Sequence, residues 1–350
     1  MITNIFPLFN NIKMNIVSPP QLIYIPKAIL YTLLIILQLP FHWIELVLYK
    51  NKIQRHRLKH DPIIILGYWR SGTTYTQRLL CLNNNIAYLP LYESIFPLGS
   101  IIHSVIFKKI LNNFLKILNL KHPLHKTTIN MNFPSEEDIA LCCSSYPHTP
   151  MWAHIYSKRA KYFFNKPLIS EKRSKESFLF KKMYTYLTKK LSFTNPKKIL
   201  LLKSPCNTTK INEILEIFPN AKFIYISRNI KDTYFSNMKL LKTNKFQWVQ
   251  HMNKEERTRL FTTSYSKIIS KYNDTKNKIP INNLIEIKFE DLYQTPNEHI
   301  QHIYSKFRIP FSNSDKCNLK NFLKKNHGKH KHEYKQKVPD EVLEKIKQKI

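Results

Sequence analysis

Residues 62–74 read Pro62-Ile63-Ile64-Ile65-Leu66-Gly67-Tyr68-Trp69-Arg70-Ser71-Gly72-Thr73-Thr74. The β-branched apolar run 63–66 predicts a strand. It breaks at Gly67, a short polar loop follows, and residues 73–82 carry the pattern of a helix. Strand, loop and helix N-terminus in this order bring free backbone N–H groups together, and the helix dipole adds positive potential. Such an arrangement suits a phosphate. The chain has four glycines, and two of them, Gly67 and Gly72, bracket this loop.

The loop resembles a P-loop with one substitution. In nucleoside-triphosphate enzymes such a loop ends Gly-Lys-Ser/Thr, where the lysine reaches the β- and γ-phosphates and the hydroxyl holds magnesium. Here Gly72 is followed by Thr73, and the cation stands two residues earlier, at Arg70. No apolar run ends in an aspartate placed to hold magnesium. The pattern points to a nucleotide donor bound without metal. The plain alternative is an ordinary strand-to-helix turn.

At 350 residues the chain is long enough for a full core, read as one domain with insertions. The formal charge of +33 rests partly on heavy use of Lys, Asn and Ile, and favours anionic ligands, anionic membrane surfaces or nucleic acid. No feature singles out a specific nucleic acid. The five cysteines (Cys81, Cys142, Cys143, Cys206, Cys317) are odd in number and lack CxxC spacing. They read as free thiols in a reducing compartment, not as a disulfide framework or a zinc site. His327, His330 and His332 read as part of a basic solvated tail, so no metal site is expected.

Residues 28–49 are apolar except for Gln38, His42 and Glu45, and Pro40 interrupts them. Lys50, Lys52, Arg55, Arg57 and Lys59 follow. The length approaches the roughly 20 residues that span a bilayer, and the basic flank suits its cytoplasmic side. Three readings stand: a helix lying in the membrane interface, a span, and a soluble helix packed on the domain. The first is preferred. The chain thus divides into an apolar and basic helical segment, 1–60, with the candidate membrane attachment, and a main domain, 61–350.

Within that domain strands and helices alternate. Strands are expected at 63–66, 198–202, 222–227 and 284–288, and helices at 73–82, 174–191, 207–218 and from about 230. A helix opens within Phe133-Pro134-Ser135-Glu136-Glu137-Asp138, with Ser135 as its N-cap. Continuous apolar strands between helices imply an α/β fold in three layers, a central parallel sheet with helices on both faces. Ligands bind such sheets at the carboxyl ends of the strands. Three of those ends carry polar clusters: Arg70 to Thr74, then Lys203-Ser204-Pro205, then Arg228 with Ser236 two helical turns on. Neighbouring strands would bring these cations to one anionic ligand.

These residues resemble a known family. Arg70-Ser71-Gly72-Thr73-Thr74 after a strand is similar to the 5′-phosphosulfate loop of sulfotransferases that use 3′-phosphoadenosine 5′-phosphosulfate (PAPS). Leu200-Leu201-Leu202-Lys203-Ser204-Pro205 and the run from Phe218 to Asn229, with Ser236 beyond it, resemble their 3′-phosphate site. Phe133 to Asp138 and Phe289-Glu290-Asp291-Leu292 resemble the large, mostly bacterial branch that is itself similar to tyrosylprotein sulfotransferases. The resemblance covers roughly residues 61 to 310 and implies a P-loop-type fold.

It also implies roles. Arg70, Ser71, Gly72, Thr73 and Thr74 would hold the 5′-phosphate, and Arg228 and Ser236 the 3′-phosphate. Lys203 and Arg70 would face the transferring sulfuryl group. Glu93, in Leu91-Tyr92-Glu93-Ser94, falls where that branch places its catalytic carboxylate. A positioned carboxylate can take the proton of an attacking hydroxyl, and cations can stabilise charge on the sulfuryl and leaving oxygens. The implied donor is PAPS, and the acceptor a hydroxyl, with a lipid or amphiphile suggested by residues 28–49. The expected location is the cytoplasm. Bland readings stand beside these: Glu93 as a solvated loop carboxylate, Lys203 as a surface lysine, and Arg228 paired with Asp232. His148, His154 and residues 136–138 are the reserve bases. A P-loop kinase and a non-catalytic basic membrane-peripheral protein are the rival functions.

Overall fold

The computed structural model describes residues 6–119, 128–144, 146–147, 149–160, 162–163, 174–243, 252–326 and 337–347. His148, His327, His330 and His332 lie outside them. The chain forms two compact units. One comprises Met1–Arg57, Leu89–Thr194 and Leu240–Leu260, and the other Leu58–Tyr88, Asn195–Lys239 and Phe261–Ile350.

The second unit holds a parallel sheet of five strands: β1 (Ile63–Gly67), β2 (Ile86–Tyr88), β3 (Ile199–Lys203), β4 (Lys222–Ser227) and β5 (Leu284–Lys288). Their order is β2-β3-β1-β4-β5. Every residue of β1 is buried, as a central strand covered on both faces requires. Side chains alternate across the sheet. Ile63, Ile65, Leu201, Ile224, Ile226, Ile285 and Ile287 share one core with Leu79, Ile300, Ile303 and Leu319. On the other face Tyr225 stacks on Tyr272 with ring centroids 3.7 Å apart, and the Tyr272 hydroxyl donates to Glu286 at 2.6 Å. The result is the three-layer α/β fold expected. The three-residue β2 at the sheet edge was not expected. It pairs with β3, Ile86 opposite Ile199.

The first unit is helical. Ile25–Arg55 packs against Phe6–Val17, Ser100–Ile117 and Lys175–Thr194. Gln38, His42 and Glu45 are buried on one side of Ile25–Arg55, at i, i+4 and i+7. Leu30, Leu33, Leu37, Ile44, Val47 and Leu48 are exposed on the rest. By length and composition this helix could cross a membrane.

Candidate functional site

β1 has β3 on one side and β4 on the other, with Ile65 opposite Lys203 and Gly67 opposite Ile226. The three polar clusters therefore stand at adjacent strand ends. The loop between β1 and helix Thr73–Leu80 is set by its backbone. Arg70 adopts φ 69° and Gly72 φ 102°. The left-handed conformation at Arg70 costs about 1–3 kcal/mol, so the surroundings must hold it. A Cβ on Gly72 would lie 2.1 Å from Cδ2 of Phe289, which excludes any side chain there. The first N–H groups of the following helix have no acceptor within it and face the loop.

The cations converge. Arg70 Nε donates to Ser236 Oγ at 2.9 Å. Arg228 Nη1 donates to the Arg70 carbonyl at 3.2 Å, its Nη2 lies 3.7 Å from Asp232 Oδ2, and its guanidinium sits 4.8 Å from the Phe289 ring centroid. The Asp232 pairing is thus present, and it leaves Arg228 Nε buried with no hydrogen-bond partner. Ser71 Oγ is also buried and unpartnered. Lys203 is 2% exposed, which rules out a surface lysine, and its ammonium donates to Thr74 Oγ1 at 3.3 Å.

Three further residues hold the loop. Thr208 Oγ1 accepts from the Gly67 N–H at 2.9 Å and donates to the Gly67 carbonyl at 3.0 Å. Asn237 Nδ2 donates to the Trp69 carbonyl at 2.8 Å. Phe289 fills the space beside Gly72. Sequence reasoning missed Thr208 and Asn237, although each is a small polar residue next to a flagged cluster. Phe289 belonged to a noticed motif and had no role.

Glu93 lies in the first turn of helix Leu91–Ile95, in the helical unit. Its side chain is 21% exposed, and Oε1 lies 3.9 Å from Lys108 Nζ. Burial pushes its carboxyl above the usual range, against the pull of Lys108 and Lys190. The segment 133–135 is strapped to it: Leu91 N–H donates to the Phe133 carbonyl at 2.8 Å, and Ser135 N–H to the Leu89 carbonyl at 2.9 Å. Ser135 is not the expected N-cap. Glu136 occupies that position before Glu137–Cys143, and Ser135 Oγ pairs with Ser94 Oγ at 2.8 Å instead. Tertiary pairing outcompetes the capping box here. His154 is buried, and burial drives its imidazole down to about 4, with Glu136 opposing, so it stays neutral at neutral pH.

A strand, a loop without the nucleotide-triphosphate lysine, and cations at three neighbouring strand ends define a P-loop-type site for an anionic ligand. The sequence profile of the Sulfotransferase family matches residues 62–313, and the chain belongs to that family. It is an enzyme that moves a sulfuryl group to a hydroxyl acceptor. The chain is 22% identical over 279 residues, 79% of its own length and 70% of the relative's, to the omega-hydroxy-beta-dihydromenaquinone-9 sulfotransferase Stf3 of Mycobacterium bovis. The same figures hold for the protein of that name from Mycobacterium tuberculosis. Among solved structures, sulfotransferase STF1 of Mycobacterium tuberculosis shares the fold with a TM-score of 0.73 at 13% identity, covering 97% of this chain and 90% of that one. Sulfotransferase STF9 of Mycobacterium avium shares it with a TM-score of 0.70 at 14% identity, covering 92% and 83%.

Proposed function

We propose that the donor is PAPS and the acceptor a lipid or other amphiphile carrying a hydroxyl, met at an anionic membrane surface facing the cytoplasm. Residues 61–350 carry the transfer, and residues 1–60 serve the attachment. One observation supports the donor most. Two buried polar atoms, Ser71 Oγ in the loop and Arg228 Nε directly after β4, lack partners where Arg70 and Ser236 already meet. Unspent buried donors are costly unless a ligand meets them. An anionic nucleotide fits that need.

Arg70, Ser71, Gly72, Thr73 and Thr74 hold the 5′-phosphate, and Arg228 and Ser236 the 3′-phosphate. PAPS supplies the activated sulfuryl group. Lys203 and Arg70 hold positive charge where the sulfuryl and leaving oxygens gain negative charge. Glu93 takes the acceptor hydroxyl proton, a role its raised pKa suits. The acceptor class rests on the name of the Mycobacterium relative, whose substrate is a hydroxylated menaquinone, and on the exposed apolar helices.

Calorimetry with adenosine 3′,5′-bisphosphate and adenosine 5′-phosphate tests the donor. The bisphosphate should bind more tightly, and equal affinities would remove the 3′-phosphate role from Arg228 and Ser236. Labelled-sulfate transfer from PAPS into a lipid extract, read by mass spectrometry, tests the acceptor.

A further inference from the structure

We infer that Phe6–Val17, Ile25–Arg55 and Ser100–Ile117 together form a platform that lies on an anionic bilayer, with Ile25–Arg55 in the interface plane and not across the membrane. The inference deepens the membrane attachment just proposed and does not depend on the donor.

These helices are amphipathic in the inverted sense. A surface helix of a water-soluble domain turns its apolar stripe inward and its polar side outward. In Ile25–Arg55 the buried residues include Gln38, His42 and Glu45, while Ile29, Leu33, Leu37, Trp43, Val47 and Leu48 are exposed. Phe6–Val17 repeats the inversion. Asn11 is buried and accepts from Thr32 Oγ1 at 2.8 Å, and Asn15 accepts from the Tyr156 hydroxyl at 2.7 Å. Phe9, Ile12 and Ile16 are exposed. Ser100–Ile117 adds Val105, Ile106, Ile110, Phe114 and Ile117. Its outer face adjoins that of Ile25–Arg55 where Phe107, 46% exposed, meets Phe41 edge-on at 5.8 Å. A packed soluble helix does not leave faces of this kind open to water.

The inward polar face argues equally against a span. Glu45 is 1% exposed, lies 2.5 Å from Lys190 Nζ and accepts from the Ile101 N–H at 2.9 Å. Lys190 also donates to the Pro97 carbonyl at 2.9 Å, and Gln38 Oε1 accepts from the Leu98 N–H at 3.3 Å. These ties fix the middle of the helix to the rest of its unit. Threading it through hydrocarbon would break them and strand a buried charge on each side.

Charge selects the partner. Glu45 is the single carboxylate in the three helices, and it is buried. Lys50, Lys52, Arg55, Lys109 and Lys116 are exposed. Lys108, Lys109 and Lys116 line a groove with Asn112 and Asn113 that reaches Val105, at the border of the apolar face. An apolar face bordered by these cations matches acyl chains beneath anionic head groups.

The test uses the full chain, because removing residues 1–58 would leave Lys190 without its carboxylate. The protein is floated with phosphatidylcholine vesicles with or without phosphatidylglycerol. It should float with the anionic vesicles and less so in high salt. Lipids brominated near the head groups should quench tryptophan emission, and lipids brominated near the bilayer centre should not. Trp43→Phe should remove that quenching. Ile110→Asp with Phe114→Asp should weaken vesicle binding by about tenfold or more, with unchanged circular dichroism and unfolding midpoint. Quenching at the bilayer centre would make the helix a span. Full binding by the double variant would take Ser100–Ile117 out of the platform. A soluble dimer that ignores vesicles would give the face to a second copy, and a monomer that ignores them would leave no docking surface. Each of these four results overturns the inference.

Discussion

The cradle that follows β1 and the N-terminal helices both bury polar side chains, and they use them differently. In the helical unit the ties around the long helix close in pairs, Glu45 with Lys190, Asn11 with Thr32, the Tyr92 hydroxyl with His103 Nδ1 at 2.8 Å, while His42 Nδ1, Ser177 Oγ, Tyr186 Oη and Arg257 Nε lack partners singly. In the cradle they stop short, with Ser71 Oγ and Arg228 Nε left over. A network that closes on itself specifies packing. One that does not is poised for something else to complete it. Burial of a polar residue therefore says little until its partners are counted. Glu93 is the test of the contrast, because it belongs to the helical unit and yet has burial pushing its pKa upward.

The largest expected effect breaks that contrast at Glu93. Glu93→Gln keeps the shape and removes the basicity. Single-turnover transfer at saturating PAPS should slow by a factor on the order of 10²–10⁴, with bisphosphate affinity nearly unchanged. Wild-type turnover in this variant would return Glu93 to the structural network and move the base to residues 136–138.

Next comes the closed network itself. Lys190→Met leaves Glu45 buried without its cation, and breaking a buried pair in this way costs about 3–5 kcal/mol. Denaturant unfolding should show that loss. Glu45→Gln with Lys190→Met should recover part of it, since no charge is then stranded. A single variant as stable as the wild type would mean that water reaches the pair.

The open network is probed by Arg228→Ala. It should weaken bisphosphate binding by about 1.5–3 kcal/mol, the range for a charged hydrogen bond. Denaturant unfolding of the same variant reads the separate loss of its contacts with the Arg70 carbonyl and Asp232. A large loss of stability with unchanged binding would show that Arg228 serves the loop and not the ligand.

The same contrast explains what the sequence disclosed. The cradle was legible because its parts are local: a β-branched run, a glycine with positive φ, and cations directly after apolar strands. Adjacency of strand ends then follows from parallel topology. What holds the cradle was less legible. Thr208 and Asn237 act on Gly67 and Trp69 from far along the chain, and no periodicity marks them. β2, with three residues, is too short for a pattern. In Ile25–Arg55 the polar residues Gln38, His42 and Glu45 read as interruptions of an apolar segment, whereas they are its inward face. Their i, i+4, i+7 spacing puts them on a common side. Only the partner of Glu45, 145 residues away at Lys190, shows which way that side turns. Ser135 misled for the same reason, since its partner Ser94 is distant in sequence.

The smallest effect lies in the pH profile. Burial raises the Glu93 pKa, and Lys108 and Lys190 lower it. A base acts in its ionised form, so transfer should be lost as pH falls through the raised pKa, at higher pH than for an ordinary carboxylate. Lys108→Met removes one of the lowering influences. The acid limb should move to higher pH, with the alkaline plateau preserved. Stability carries the opposite sign. A carboxyl whose folded pKa exceeds its unfolded value stabilises the fold at low pH, and that contribution is lost as pH rises through the folded pKa. The unfolding midpoint of the wild type minus that of Glu93→Gln should therefore fall, to the wild type's disadvantage, over the pH range where its activity grows. If that difference is flat while activity climbs, the titrating base is another group, and the raised carboxyl of Glu93 belongs to packing alone.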